Sequence, residues 1–467
     1  MDVLEQMRLF MEPESIALVG VSRSTDHPFG LLRNLLAYGF SGDIYPVNPS
    51  ADQILGVRTY PAIKDLPDDI DLTVIMTPRD TTLALVEESV EKGLKAIIIV
   101  AQGFGDADEK GKSLQSRIID TAKRGGARII GPNTFGVTNA FQSMSTALPM
   151  LEMERSPIGI ISQTGIPFLG TSRFKFGKII DIGDTCDIDV ADALCYFEED
   201  PEITVVALQI EGIQDGRRFA HVVGRVVKKK PVLVLKGGRS EAGARAALSH
   251  TGSIAGADEV YDATFKQRGL IRVNDLEELE DMGLAFSRLP PMKKRGVGVM
   301  SWAGSTGVLT VDACDAYGLE VPLLSDAAID RIRELSPPAW LPIENPVDLW
   351  ACAGLVKFDA ESLKFGFRTI MEALLNQESI GAVLVIIPDF HTLFQSEDWD
   401  ISEIVHEVAE DYKEQPIVFS ILGAWGKTTE RLEEKRNMVV FRSHERAVRA
   451  LSRLWEYAAT SNPDSRL

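Results

Sequence analysis

The sequence predicts an α/β protein of three consecutive parallel-sheet domains, and three observations carry that prediction. Short apolar runs of about four to eight residues, rich in Val and Ile, alternate with amphipathic stretches of helical period. The alternation restarts twice, near Pro157 and after LPPMKKRG (Leu289–Gly296). At 467 residues the chain is also too long for one compact core.

The first set of predicted strands is Ser15–Gly20, Asp43–Val47, Leu72–Met76, Ala96–Ala101 and Arg128–Gly131, each separated from the next by a stretch long enough for a crossover helix. Residues 1–140 therefore read as a Rossmann-like domain. The second set runs through IGIIS from Ile158, KIIDI (Lys178–Ile182), Ile203–Ile210 and Val232–Gly238, and closes with a helix near Leu276–Leu289. It assigns 141–290 to a second domain. The third, 291–467, holds Gly296–Ser301, Gly381–Pro388, Pro416–Leu422 and Met438–Phe441 as strands. The last two sets open alike, with a strand that ends in Ser and a Gly-containing turn, ISQTG (Ile161–Gly165) and SWAGSTG (Ser301–Gly307). Two flavodoxin-like domains facing one another are expected.

Composition narrows the function classes. Hydrophobic residues are 45% and charged residues 25%, an ordinary globular balance. The longest clean apolar runs fall far short of the ~20 residues that cross a bilayer, and the start MDVLEQMRLFMEPES mixes acids into its apolar residues, unlike a secretion signal. A cytoplasmic protein is expected. Cys186, Cys195, Cys314 and Cys352 form no C-x-x-C pair, so they support neither a zinc site nor a disulfide framework. A net charge of −19 argues against nucleic acid and anionic membranes. An anionic ligand must be held locally, and backbone N–H groups at helix N-termini can do that.

The motifs follow from that requirement. GVSRSTDHPFG (Gly20–Gly30) is not the G-x-G-x-x-G of dinucleotide enzymes, yet it offers backbone donors and Arg23 to a phosphate. YPVNP (Tyr45–Pro49) and IIGPN (Ile129–Asn133) place Asn beside Pro at the carboxyl ends of strands, where open α/β sheets bind ligands. GAWGKT (Gly423–Thr428) is no phosphate-binding loop, because Ile421 stands where the first Gly belongs. With no nucleotide-binding domain in view, phosphoryl chemistry with ADP or ATP requires another chain. Leu235–Gly269 is the most informative stretch: Glu241–Gly256 is dominated by Ala, Gly and Ser and reads as a mobile loop, with His250 its sole imidazole. A lone His is usually structural. Glu211, at the end of an apolar strand, is placed to hold an imidazole N–H and leave the other nitrogen nucleophilic.

At SHTGS (Ser249–Ser253) the sequence resembles the α subunit of ADP-forming acetyl-CoA synthetase, an NDP-forming acyl-CoA synthetase, and more distantly that of succinyl-CoA synthetase. The likeness covers almost the whole chain and rests on IALVGVSRS, IYPVNP, IIGPN, ISQTG, IEGIQDGRRF, KKPVLVLKGGRSEAGARAALSHTGS, FKQRGLIRV and ENPVDL, in one order. The resemblance implies a ligase in which phosphate cleaves acyl-CoA to an acyl phosphate, a histidine on a mobile loop takes the phosphoryl group, and an ATP-grasp β subunit passes it to ADP. Carried over, His250 is the phosphorylated residue and Glu211 its supporting carboxylate. Ser162, Gln163, Thr164 and Gly165 begin a helix whose N-terminus holds phosphate, and Gly304, Ser305, Thr306 and Gly307 match the opening of the third domain. CoA lies across Gly20, Ser22, Arg23, Val47, Asn48, Pro49, Thr77, Pro78 and Asn133. No metal site is implied on this chain; ADP or ATP and Mg2+ belong to the partner, in an expected heterotetramer.

This chain departs from the family where it has Asp26, His27 and Pro28 for a Gly-Lys pair, Gly183 and Asp184 for Gly-Asn, and Trp302, Ala303, Gly304 and Ser305 for Asn-Ala-Gly-Gly. These changes bear on the acyl group; Trp302 and Phe168 either reshape its pocket or pack. Two other classes compete. A non-catalytic CoA-sensing or scaffold protein is opposed by His250 and Glu211, and a nicotinamide oxidoreductase by the missing glycine fingerprint and by VNPS after the second strand.

Overall fold

The computed structural model describes residues 1–23, 30–165, 171–251, 256–354, 359–435 and 437–461, and of residues 248–251, 353–354 and 461 the backbone only. It divides into two compact units, Met1–Glu280 and Asp281–Leu467.

The first unit holds two sheets. One is parallel throughout, with β1 (Ser15–Val19), β2 (Asp43–Val47), β5 (Leu72–Ile75), β6 (Ala96–Ile99) and β7 (Arg128–Ile130) in the order β2-β1-β5-β6-β7. A small antiparallel hairpin, β3 (Gln53–Ile54) and β4 (Val57–Arg58), lies outside it. The other sheet contains β10 (Ile158–Ser162), β11 (Lys178–Asp181), β12 (Val205–Ile210), β13 (Val232–Lys236) and β14 (Ile271–Val273), parallel, in the order β14-β13-β12-β10-β11. Antiparallel β8 (Val137–Asn139) and β9 (Met144–Ser145) extend it beyond β11. Every residue of β6, β10 and β12 is buried, as expected of strands covered on both faces, and this is why they read as unbroken apolar runs. Polar contacts link the first sheet and the helix Val3–Met11 to the second sheet's side: Asn139 Nδ2 of β8 donates to the Met11 carbonyl at 2.9 Å, and Arg128 of β7 pairs with Asp187 and Asp192, each at 2.9 Å.

In the second unit β15 (Gly296–Ser301), β16 (Val347–Asp348), β17 (Ile380–Pro388), β18 (Ile417–Leu422) and β19 (Val439–Phe441) form a parallel sheet ordered β16-β15-β17-β18-β19. Counted from its own first strand, each parallel sheet has the order 2-1-3-4-5. That is the flavodoxin-like order, whose crevice opens outside the carboxyl ends of the first and third strands.

The expected α/β class with parallel sheets is present, and the named strands match within about two residues, the usual uncertainty of such boundaries. Three features differ. β3, β4, β8, β9, β14 and β16 were not anticipated, because two or three residues carry no readable period. Residues Glu241–Thr251, expected as part of a loop, form a helix. Ala242, Ala244, Ala246 and Ala247 give that stretch high helix propensity, which outweighs its single internal Gly243. The helix expected to begin at Ser162–Gly165 would run into residues 166–170, outside the described set, and the chain is non-helical again at 171–177.

Candidate functional site

The carboxyl edge of the first sheet gathers most of the expected ligand residues in strand order. Gly20 follows β1 with φ +91, and a Cβ there would stand 2.7 Å from Thr77 Cγ2, so only glycine lets this turn approach the end of β5. The Gly20 N–H donates to the Val47 carbonyl at 3.3 Å, and Asn48 Nδ2 donates to the Val21 carbonyl at 2.9 Å. Asn48 Oδ1 accepts the Ser50 N–H, which holds the Asn48–Pro49 turn. Thr77 Oγ1 accepts from Thr81, and Pro78 stands at the N-cap of the helix Arg79–Glu91. Beyond β6, the Asn133 N–H donates to Ala101 and its Nδ2 to Asp184 Oδ1 at 3.2 Å. Ser22 and Arg23 are exposed beside this row. Asp26, His27 and Pro28 lie outside the described residues. A turn that must be glycine, beside an exposed guanidinium, fits a phosphate-bearing ligand on this edge.

The second sheet's carboxyl edge brings Ser162, Gln163, Thr164 and Glu211 together. Ser162 Oγ donates to Gln209 Oε1 at 2.6 Å, which Thr164 Oγ1 also reaches at 3.1 Å. The Gln163 side chain is committed to the neighbouring loop: Oε1 accepts the N–H groups of Glu211 and Gly212 at 2.6 and 3.1 Å, and Nε2 donates to Gly212 and Thr185. Its own N–H goes to the Gln209 carbonyl. Gln163 is thus a brace for the Glu211 loop. Tyr261 clamps the same loop from the other side, its hydroxyl accepting the Ile213 N–H at 3.1 Å while Lys236 Nζ lies 4.6 Å above its ring. Lys236 pairs in register with Ile210, and burial lowers its pKa, with Asp258 and Glu211 acting in the opposite direction. Gly165 abuts Phe135. His250 falls in the last turn of the helix Glu241–Thr251; its side chain, like Phe168, lies outside the described set.

On the third sheet, Gly304, Ser305, Thr306 and Gly307 open the helix Gly304–Ala316, whose N-cap residue Ala303 offers no side-chain acceptor. Asp348 occupies the space beside it, its Oδ2 lying 3.1 Å from where a Gly304 Cβ would be and its Oδ1 accepting the Ala351 N–H. Trp302 packs edge to face with Trp350 and Phe390, ring centroids 5.1 Å apart in each pair, and nearer to core than to pocket. At GAWGKT, Asp389 Oδ2 accepts the Thr428 N–H, so a carboxylate already caps the turn where a phosphate-binding loop would hold its ligand.

Sequence reasoning missed Gln209, Thr185, Tyr261 and Asp348. Only Gln209 carries a visible signal, a polar residue inside the apolar run ITVVALQI and on the same strand face as Glu211.

Comparison with known proteins places the chain in a family. A family model described as a CoA binding domain matches residues 14–140, and one described as a succinyl-CoA ligase like flavodoxin domain matches 155–286. The chain is 32% identical to the α subunit of acetate–CoA ligase [ADP-forming] I of Pyrococcus furiosus over 97% of this chain and 98% of that one. It is 34% identical to acetate–CoA ligase [ADP-forming] II of Archaeoglobus fulgidus, over 97% of this chain and 67% of that protein. Among solved structures, acetyl-coenzyme A synthetase 1 of Ca. Korarchaeum cryptofilum, in complex with phosphate and ADP, superposes with a TM-score of 0.85 at 29% identity, over 97% of both chains. With these matches running from the first sheet to the last, the chain belongs to the ADP-forming acetyl-CoA synthetase family of the succinyl-CoA synthetase superfamily.

Proposed function

We propose that this chain is the cytoplasmic α subunit of an ADP-forming acyl-CoA synthetase, interconverting acyl-CoA, phosphate and ADP with a carboxylic acid, CoA and ATP. The observation that carries the reading is the end-to-end correspondence with a relative that is itself an α subunit, over 97% of one chain and 98% of the other. On this reading residues 1–140 bind CoA through Gly20, Ser22, Arg23, Val47, Asn48, Pro49, Thr77, Pro78 and Asn133. Residues 141–290 carry His250 and Glu211, and 291–467 form the second CoA-ligase domain.

In the thioester-cleaving direction a phosphate oxygen attacks the acyl carbonyl carbon, the C–S bond breaks, and the thiolate leaves to take a proton as CoA. The His250 ring nitrogen then attacks the phosphorus of the acyl phosphate; the P–O bond to the acyl group breaks and releases the carboxylate. A terminal oxygen of ADP takes the phosphoryl group from nitrogen to give ATP. Ser162, Thr164 and Gly165 at the end of β10 and Gly304–Gly307 supply fixed dipoles for the anionic intermediates, the kind of preorganised term that dominates such catalysis. Glu211 holds the imidazole. ADP and its Mg2+ belong to an ATP-grasp β subunit in a heterotetramer.

The test separates the steps. The purified chain should bind CoA and make no ATP until an ATP-grasp partner is added. His250→Ala should still convert acyl-CoA and phosphate to acyl phosphate while ATP formation disappears, and the wild-type phosphoryl label should be acid-labile and alkali-stable. ATP formation near the wild-type rate in His250→Ala, or label mapping to Ser249, overturns the reading.

A further inference from the structure

Asp184 sits where the loops at the carboxyl edges of the two sheets of the first unit meet, and its surroundings are unusual for a carboxylate. It is only 9% exposed, its Oδ1 accepts Asn133 Nδ2 at 3.2 Å, and its Oδ2 is buried without a hydrogen-bond partner. The group facing Asp184 from the loop after β6 is Asp106, whose Oδ1 is already engaged by the Phe104 N–H at 2.6 Å. Two ionised carboxylates offer each other no donor, and a buried acceptor left unmatched is costly. One proton between them removes both problems.

We propose that Asp184 is a positioning residue that sets the Asn133 amide for CoA, and that it does so while sharing one proton with Asp106. The proposal rests on the CoA reading above and adds a role for two residues outside it. With the proton on Oδ2, the Asp184 hydroxyl donates to Asp106 and its carbonyl oxygen accepts Asn133 Nδ2–H. One Asn133 N–H is then spent within the protein, which fixes the amide plane and offers its oxygen to an N–H of the ligand. Other groups acting on the site are Asp181 at the end of β11, itself pushed up to about 6 by burial, and Cys186, whose thiol burial keeps protonated. Burial, and next the Asp106 charge, push the Asp184 carboxyl up to about 7, against the opposing pull of the Asn133 donor.

The sign follows. Because the acid's pKa is raised, the shared proton is fully in place at low pH and is lost as pH rises through about 7. Its loss sets two like charges in contact beside a polyanionic ligand, so CoA affinity falls as pH rises.

Titration calorimetry of CoA into the full chain between pH 6 and 8.5 tests this. Wild type should bind about tenfold more weakly at pH 8.5 than at pH 6, a loss set by ionisation of a group near pH 7. Asp184→Asn keeps an acceptor for Asn133 and a donor for Asp106 with no charge, so its affinity should show only the pH dependence of CoA's own phosphates. Asp106→Asn removes the second charge but not the burial, so it should weaken the pH dependence without abolishing it, and it serves if the first variant fails to fold. Parallel curves for wild type and both variants overturn the proposal and leave the CoA reading standing. No CoA binding by wild type at any pH overturns both.

Discussion

The second and third sheets share one strand order and one opening, a first strand ending in Ser and a turn, yet their carboxyl edges are built for different work. In the second, the third strand ends Gln209-Ile210 and Glu211 follows, and this stretch is bound into a polar frame by Ser162, Thr164 and Gln163. In the third, the equivalent strand ends Ile387-Pro388 and the next residue, Asp389, caps two turns by accepting the Thr392 and Thr428 N–H groups, while Trp302 packs against Trp350 and Phe390. Strand order builds the crevice and sets an acid directly after the third strand in both sheets, Glu211 and Asp389; what surrounds that acid differs. The second edge sets Glu211 in a loop braced by Gln163, and the third offers a helix N-terminus and an aromatic wall.

Replacing Glu211 would break that contrast most severely. Glu211→Gln keeps the side chain's size and removes its charge, so ATP formation with the partner subunit should drop roughly 10²-fold, in line with general acid–base contributions. CoA affinity should not change, because the first sheet's edge is untouched. Unchanged turnover would make the second edge no more chemical than the third.

A smaller loss is expected from Gln163→Ala, which leaves Glu211 in place and removes its brace. The N–H groups of Glu211 and Gly212 lose their acceptor, at a cost of about 1–3 kcal/mol for a buried donor left unmatched. Thermal unfolding should register that loss, and the rate should fall about tenfold, as misplacement of a positioned group does. Lost stability with a full rate would make Gln163 a packing residue alone.

Much of this division was legible before any coordinates. Runs such as GAVLVIIP are long and β-branched because both faces of a central strand are covered, and they announce themselves. β8, β9, β14 and β16 did not, since a two- or three-residue strand is made by its neighbour's hydrogen bonds and not by its own pattern. The Ala-rich stretch before His250 looked like a loop because Ala, Gly and Ser pack poorly, but the same alanines favour a helix once a strand end anchors it. Glu211 and the Gly20 turn could be found from strand ends alone. The role of Gln163 could not: its partners are 46 to 49 positions away or lie in the Thr185 turn, and only the closed sheet brings them together. Asp184 stands out in the sequence only as a departure from the family; that its Oδ2 is buried without a hydrogen-bond partner is visible only in the fold.

The smallest effect belongs to the third edge, where Asp348 and any bound phosphate would compete for one helix end. The helix Gly304–Ala316 lacks a side-chain N-cap, so its first N–H groups and its dipole attract an anion, and Asp348 Oδ2 stands beside Gly304. A charge at that position contributes about 0.3–1 kcal/mol to the helix, which is about a two- to fivefold change in an equilibrium. Asp348→Asn should therefore lower thermal stability slightly. If Gly304–Gly307 hold phosphate during turnover, the same change removes a like charge from the site, and the KM for phosphate in acyl phosphate formation should fall by that two- to fivefold factor while kcat stays near wild type. The opposite signs distinguish the roles: a residue that only caps the helix costs stability and leaves the phosphate KM where it was. An unchanged KM alongside a lowered Tm would assign the third edge to folding, and the phosphate would then rest on the second edge alone.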